Sequence, residues 1–223
     1  MRNIDLTIFK GEKVGIIGSN GAGKTTFFNC VTGFYAIDEG EIHFNGDRID
    51  GRSPDEITRA RIARTYQNIR LFRDMTALEN ILVGQHSRLH GGVVGAVLNL
   101  PRTAHEEEEA LSTALDLLEL VGLPKARNRL QAYPHELSGG MRQRVMVAIA
   151  MLCGPKLLLA DEPTTALDVT VQAQVLDLMD DLKRDTGTGI ALITHDMGVV
   201  ARMCDRVVVM RHGEIVETGS IDD

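Results

Sequence analysis

Gly18 to Thr25 form a glycine-rich segment, GSNGAGKT, that constrains this chain more than any other part of its sequence. Two glycines bracket four residues and are followed by Lys24 and Thr25, which is the pattern of a phosphate-binding loop. The apolar run 14–17 before it indicates a buried strand, and residues 26–31 continue as a helix. Glycines let backbone N–H groups curl around phosphate oxygens, and the helix directs its positive dipole at the anion. The segment therefore predicts a nucleoside-triphosphate site.

The residues of this loop are the expected phosphate ligands. Lys24 is placed to reach the β- and γ-phosphates, and the Thr25 hydroxyl is placed to ligate Mg²⁺. An ordinary glycine-rich turn would account for the glycines, but not for the lysine and threonine between a strand and a helix. The expected nucleotide-binding residues are therefore Lys24 and Thr25 together with Gly18, Ser19, Asn20, Gly21, Ala22, Gly23 and Thr26.

Two acidic residues follow the apolar run 157–160. Asp161 is expected to bind Mg²⁺ through water, and Glu162 to polarise the attacking water as the catalytic base. Alone, two acids after an apolar strand usually mean that the strand ends at the surface. Combined with the phosphate loop, they predict a P-loop NTPase, a class that includes GTPases, kinases, helicases and other motors.

A second glycine-containing segment, LSGGMRQ over residues 137–143, precedes an apolar helix pattern. Ser138 is expected to cap that helix, and Gly139 and Gly140 to allow the close approach of a phosphate. One ATP cannot occupy two phosphate loops of one chain. The simplest solution is a head-to-tail dimer, in which the serine-glycine loop of one chain closes on the ATP of the other.

The remaining patterns predict an α/β fold: a P-loop core with a small antiparallel β part and an inserted helical subdomain. Ile4, Leu6 and Ile8 alternate with polar residues as in a strand, and Asn45-Gly46 is a hairpin signal. Strands and helices alternate in the last third, which implies a largely parallel sheet. The expected division places the core at residues 1–69 and 154–223 and the helical subdomain at residues 70–153.

Charge and composition restrict the partners. The chain has 24 basic and 31 acidic residues, a net charge of −7, which argues against nucleic-acid binding through bulk positive charge. Its three cysteines are far apart, which fits a reducing cytosol better than a disulfide framework. No apolar run approaches the ~20 residues of a spanning helix. We therefore expect any membrane role to come through a partner.

Residues 137–143 resemble the signature motif of the ATP-binding-cassette (ABC) ATPases, and other family motifs follow in order. The resemblance implies that Gln67 contacts Mg²⁺ and the attacking water, and senses a membrane partner. It implies that Asp168 belongs to the D-loop and that His195 is the switch histidine that holds the γ-phosphate. The implied cofactors are ATP and Mg²⁺, with Glu162, His195 and Gln67 catalytic and with Ser138, Gly139 and Gly140 completing the site of a second subunit.

The resemblance divides along the chain. Residues from about 11 to 123 are similar to ATPases of branched-chain amino-acid importers, as seen in segments 30–35 and 70–76. Residues from about 133 onward are similar to ATPases of dipeptide and oligopeptide importers, as seen in segments 133–145 and 160–173. We therefore hypothesise a fusion joined near 123–133; the alternative is a single natural sequence with mixed features.

The implied function is the ATP-binding and hydrolysing subunit of an importer for amino acids or peptides. The expected partners are a second copy or a paralogous ATPase, and membrane permease subunits that dock after Gln67. That places the chain in the cytoplasm, peripheral on the inner membrane. The alternative is a truncated or chimeric domain that folds and binds nucleotide but drives no transport. Soluble ABC proteins of DNA repair or translation fit less well, because they generally need a second cassette or long inserts.

The resemblance also implies features that are not found here. Family members carry an upstream strand with an aromatic residue that stacks on adenine, and peptide-importer ATPases carry a C-terminal extension. We therefore expect a chain truncated at both ends. Phe9, the nearest upstream aromatic residue, is expected to pack in the core. Because base stacking contributes about 1–3 kcal/mol in nucleic-acid sites, nucleotide affinity is expected to be reduced.

Overall fold

A computed structural model of the chain describes residues 1, 3–65, 71–85, 111–119, 121–152, 154–165 and 168–221. Gln67 and two D-loop residues, Ala166 and Leu167, lie outside these ranges. The chain divides into two compact units. The first comprises Met1–Gln67, Pro155–Thr165 and Met179–Asp223, and the second comprises Asn68–Gly154 and Ala166–Leu178.

The first unit is built on a sheet that has six strands among the described residues, in the order β4-β5-β6-β1-β7-β8. The first five in this order run parallel, and β8 is antiparallel to β7. This confirms the largely parallel sheet expected from the sequence. The strands are β1 (Lys13–Ile17), β4 (Ile62–Thr65), β5 (Leu157–Asp161), β6 (Gly189–Ile193), β7 (Arg206–Arg211) and β8 (Glu214–Ser220).

Helix α1 (Lys24–Val31) packs its apolar side on this sheet. Phe28, fully buried, lies in one cluster with Val14 and Ile16 of β1, Leu159 of β5 and Ile193 of β6. These strands are short apolar runs because side chains on both faces of a parallel sheet are covered. Helix α2 (Pro54–Arg59) precedes β4, helix α8 (Met197–Met203) follows β6, and the end of helix α7 (Val169–Thr186) also belongs to this unit.

A small hairpin of β2 (His43–Phe44) and β3 (Asp47–Arg48) confirms the predicted antiparallel part. Its turn residues Asn45 and Gly46 have φ of 52° and 88°, as a two-residue hairpin turn requires. Arg48 donates to Asp50 at 2.9 Å and to Glu41 at 2.8 Å. The Arg48 hydrogen bond, aided by the backbone N–H of Ile42, lowers the pKa of Asp50 to about 2.

Two expectations for the first residues are wrong. The segment that includes Ile4, Leu6 and Ile8 is not a strand, although these side chains pack on the core cluster. Alternation places their apolar side inward, but within the described residues no strand pairs with this segment. Phe9 is 66% exposed rather than buried, because its backbone forms a turn with Glu12 that leaves the ring on the outside.

The second unit is helical. Asn80 fixes the start of its first helix, α3 (Ala77–Gln85), by donating to the carbonyls of Phe72, Met75 and Thr76. The unit also contains a 3₁₀ turn at Pro134–Glu136 and the first part of α7. Within the described ranges, no helix is long and apolar enough to cross a bilayer. Among the described residues this unit also contains α4 (residues 111–119), α5 (Ala126–Arg129) and α6 (Gly139–Met151).

Candidate active site

Three motifs meet at one edge of the parallel sheet. The register pairs Ile16 of β1 with Ile193 of β6, and Ile193 with Asp161 of β5. These adjacent strands therefore end at the same level. The phosphate loop follows β1, Glu162 follows β5, and His195 follows β6. The carboxyl edge of a parallel sheet is where such folds place ligands.

Three glycines of the phosphate loop have left-handed backbones: Gly18, Gly21 and Gly23, with φ of 154°, 79° and 101°. Gly18 is the most restricted. A Cβ there would lie 2.3 Å from the carbonyl oxygen of Met210 in β7, a distance that no real contact tolerates. Of the remaining loop residues, Ser19 and Asn20 are exposed and Ala22 is buried. The loop is thus fixed from behind by the sheet and open in front.

Lys24 and Thr25 begin α1, directly after the loop. The Lys24 ammonium donates to the carbonyls of Gly18 and Ser19 at 2.7 and 3.1 Å, and the residue is only 9% exposed. Thr25 and Thr26 are exposed on the first turn. Within the described residues, no carboxylate forms a salt bridge with Lys24, so its charge is available to an anion held by the loop.

Asp161 is buried at the end of β5 and pairs with a residue that no sequence motif singles out. Its Oδ2 accepts from Arg64 Nη2 at 2.8 Å, and both side chains are 5% exposed. The one sequence feature that indicates a role for Arg64 is that it is the single charged residue of β4. The predicted metal ligand therefore has a cationic partner within its own unit.

Glu162 and His195 lie together. Glu162 Oε1 is 3.6 Å from Nδ1 of His195, whose side chain is 70% exposed. Glu162 Oε2 accepts from the Thr165 hydroxyl at 2.8 Å, and the Glu162 N–H donates to the carbonyl of Ile193. The backbone of Glu162 is left-handed, with φ of 48°, which is uncommon outside glycine, asparagine and aspartate. The carboxylate is held by two neighbours at the sheet edge, one of them the predicted switch histidine.

The second glycine-containing segment lies in the helical unit. Ser138 caps α6, as predicted, and its Oγ accepts from the N–H of Met141 at 3.3 Å. Gly139 is partly exposed, whereas Gly140 is buried. A Cβ on Gly140 would lie 2.3 Å from Cγ1 of Val171 in α7. Gly140 is therefore required for close packing of two helices, and its phosphate contact stays a prediction.

Asp168 and Arg144 tie the same unit together. Asp168 caps the start of α7, with Oδ1 accepting from the N–H of Val171 at 2.9 Å. Arg144 donates to the Val121 carbonyl at 2.5 Å and to Gln174 Oε1 at 2.7 Å. Burial lowers the pKa of Arg144. No sequence motif singles out this arginine, whose contacts join α6 to α7 and to the turn at residues 121–122.

Gly140→Ala is expected to destabilise the helical unit by about 1–3 kcal/mol, because the added methyl overpacks a closed contact. Thermal or urea unfolding measures this loss. Gly140→Ala combined with Val171→Ala is expected to recover most of it, since the second change removes the atom that the methyl meets. A double variant no more stable than Gly140→Ala would contradict the packing role.

The structure thus brings the predicted residues into two sets. The phosphate loop, Asp161, Glu162 and His195 share the first unit, and Ser138, Gly139, Gly140 and Asp168 share the second. Gln67 lies outside the described residues. Among those that are described, no cluster of three or more histidine, cysteine or acidic side chains forms a ready metal site. A cation bound here would therefore need oxygen ligands from a bound nucleotide as well.

Comparison with known proteins agrees with this geometry. A family profile described as ABC transporter matches residues 1–165. The chain is 42% identical over its whole length to the oligopeptide transport ATP-binding protein OppD of Salmonella typhimurium. It is 41% identical, over 99% of its length, to the oligopeptide transport ATP-binding protein AppD of Bacillus subtilis. It spans 65% and 66% of the lengths of these relatives.

Solved structures show the same fold. The ATP-binding cassette MJ0796, solved as a dimer in a post-hydrolysis state with ADP and Pi, matches with a TM-score of 0.81 at 29% identity. The alignment covers 98% of this chain and 89% of that one. The ADP conformation of the cassette MJ1267 matches with a TM-score of 0.82 at 29% identity, covering 97% and 83%. Given the profile match and the relatives aligned along its length, the chain belongs to the ABC transporter family.

Proposed function

We propose that this chain is the ATP-binding and hydrolysing subunit of an importer for oligopeptides or amino acids. The observation that carries the proposal is the shared carboxyl edge of β1, β5 and β6, which brings together the phosphate loop, Asp161, Glu162 and His195. The oligopeptide transport relatives support peptides as the cargo class. They do not favour the alternative of a domain without transport function.

The phosphate loop fits ATP. Gly18, Gly21 and Gly23 have left-handed backbones, and the close approach of Gly18 to Met210 fixes one end of the loop against β7. The Lys24 ammonium donates to two loop carbonyls, and the third N–H of the ammonium stays available for the β- and γ-phosphates. Thr25 and Asp161 would hold Mg²⁺, with Gln67 as a further ligand. When bound, Mg²⁺ neutralises charge that develops on the phosphates.

The catalytic roles follow from position. Glu162 accepts a proton from the attacking water. His195, whose Nδ1 lies 3.6 Å from the Glu162 carboxylate, orients the γ-phosphate. Gln67 aligns the water. Ser138, Gly139 and Gly140, aided by Asp168, complete the site of a second copy or of a paralogous ATPase in a head-to-tail dimer. The cassette MJ0796, solved as a dimer with ADP and Pi, supports a dimeric ATPase.

We propose the domain division that the sequence predicts. Residues 1–69 and 154–223 form the ATPase core, and residues 70–153 form the helical subdomain. Membrane permease subunits dock on the region after Gln67, which places the chain in the cytoplasm at the inner membrane. Nucleic acid is not among the proposed partners, in keeping with the net charge of −7.

The fusion hypothesis stays a prediction. Oligopeptide transport relatives align along the whole chain at 41–42% identity, which favours one lineage. Comparing residues 1–123 and 133–223 separately with known ATPases tests it. Branched-chain relatives for the first half alone would support a join near 123–133, and the same relatives for both halves would contradict it.

The activity is tested by phosphate release from ATP at several concentrations of the purified chain. We expect turnover to rise more than linearly with protein concentration, because each site needs two chains. Lys24→Ala is expected to lower turnover about 10²–10³-fold, since it removes a preorganised charge from the phosphates. Lys10→Ala, which changes an exposed lysine outside the loop, serves as the matched control and is expected to be unchanged. Turnover that survives Lys24→Ala would contradict the assignment.

A further inference from the structure

Arg64 connects the predicted metal ligand to the helix that follows the phosphate loop. It lies in β4, where the register pairs it with Leu159 of β5. Side chains alternate along a strand, so Asp161, two residues beyond Leu159, lies on the same face of the sheet as Arg64. Arg64 Nη2 donates to Asp161 Oδ2 at 2.8 Å.

The other side of the same guanidinium faces α1. Arg64 Nη1 donates to Asn29 Oδ1 at 2.6 Å, and Thr32 Oγ1 is 3.4 Å from it. The guanidinium carbon lies 5.5 Å from the centre of the Phe28 ring. A planar guanidinium has donors in a fixed fork and can serve two partners at once, which the single ammonium of a lysine does poorly. Arg64 therefore fixes the carboxylate relative to the helix that begins with Lys24.

The Arg64–Asp161 pair is also almost fully excluded from solvent. Both side chains are 5% exposed, and a buried carboxylate without a cation is strongly disfavoured. Arg64 supplies that cation whenever the metal is absent. When a metal binds near Asp161, the carboxylate faces two cations, and the guanidinium repels the metal. The same contact that keeps Asp161 in place thus weakens its attraction for a divalent ion.

We infer that Arg64 is a positioning residue that occupies the Asp161 carboxylate and thereby sets how much Mg²⁺ the nucleotide site requires. This inference rests on the proposed function, because it takes Asp161 as a metal ligand. It concerns a residue that touches neither nucleotide nor water in the proposed reaction. Its effect is on the metal concentration at which the site is half-saturated.

The test measures ATP binding by calorimetry across a series of Mg²⁺ concentrations, and in EDTA. Arg64→Met keeps the length and apolar contacts of the side chain but removes the charge. We expect it to lower the half-saturating Mg²⁺ concentration about tenfold, which equals about 1.4 kcal/mol. We also expect Mg²⁺ with ATP to raise the thermal unfolding midpoint of Arg64→Met more than that of the wild type. Arg64→Gln, which can still donate to Asp161, carries the same expectation should Arg64→Met fail to fold.

Two controls separate this role from a structural one. Arg64→Lys keeps the positive charge and is expected to restore a Mg²⁺ requirement close to that of the wild type. Arg206→Met breaks another partly buried arginine–carboxylate pair in the same unit, with Glu12 at 2.8 Å. Arg206 pairs with Val14 at the start of β1, at the end of the strand away from the loop. Arg206→Met is expected to lower the free energy of unfolding without changing the Mg²⁺ requirement of ATP binding.

The outcomes are distinct. If the wild type binds ATP but Arg64→Met leaves the Mg²⁺ requirement unchanged, the inference is overturned and the proposed function stands. If Arg64→Met weakens ATP binding by the same factor with Mg²⁺ and in EDTA, Arg64 is merely structural, which also overturns the inference. If the wild type binds no ATP under any condition, the proposed function fails and the inference fails with it.

Discussion

Glu162→Gln is expected to lower ATP turnover at least about 10²-fold while ATP binding persists, because an amide cannot accept the proton of the attacking water. The substitution preserves the shape of the side chain. Gln can still accept from the Thr165 hydroxyl, now 2.8 Å from Glu162 Oε2, and it tolerates the left-handed backbone no worse than Glu. The loss of turnover should therefore be chemical rather than structural. Phosphate release measures the loss of turnover. Size-exclusion chromatography with ATP measures the oligomeric state, and we expect an ATP-bound dimer to accumulate.

Glu162→Asp is the informative companion. It retains a carboxylate, and aspartate adopts a left-handed backbone more readily than glutamate, so the fold should not suffer. The shorter side chain moves the base away from the water, and we expect intermediate turnover. An unchanged hydrolysis rate in Glu162→Gln would refute the base assignment, and His195 would then be the next candidate, because its ring lies 3.6 Å from the same carboxylate.

Local patterns carried most of what the sequence revealed. The phosphate loop follows an apolar strand and Asp161 ends one, so their placement depends on a few neighbouring residues. His195 also follows an apolar strand, but only the family resemblance singled it out. Because the strands of a parallel sheet have their carboxyl ends at one edge, the residues at these strand ends are predicted to lie close together. Ser138 was predictable as a helix cap for the same reason, because capping depends on a contact with Met141 three residues later.

Contacts between distant residues were not predictable in this way. Arg64 meets Asp161 across 97 positions of sequence, and only the strand register puts them on one face. Gly140 needs to be glycine because of Val171, which the signature motif does not contain. Alternation at Ile4, Leu6 and Ile8 correctly predicted inward-facing side chains, but a strand also needs a neighbour to pair with, which periodicity cannot supply.

Gly18→Ala is expected to abolish nucleotide binding at the concentrations where the wild type is saturated. The added methyl would lie 2.3 Å from the Met210 carbonyl oxygen and 3.0 Å from Ala22 Cβ, so backbone has to move. The φ of 154° adds strain for any residue with a side chain. Overpacking and backbone strain each contribute about 1–3 kcal/mol. The loop can relieve both only by leaving the strand end, and its N–H groups then no longer converge on a phosphate.

Gly21→Ala is the matched control, since it tests backbone strain without the clash. Gly21 lies in the same loop with φ of 79°, and nothing lies within 4 Å of a Cβ added there. It should therefore lose less stability than Gly18→Ala in a thermal melt without nucleotide. Equal losses would mean that strain alone limits the loop and that the contact with Met210 is unimportant. A larger loss for Gly18→Ala, together with lost ATP binding, would show that β7 shapes the phosphate site from behind, although it supplies no ligand.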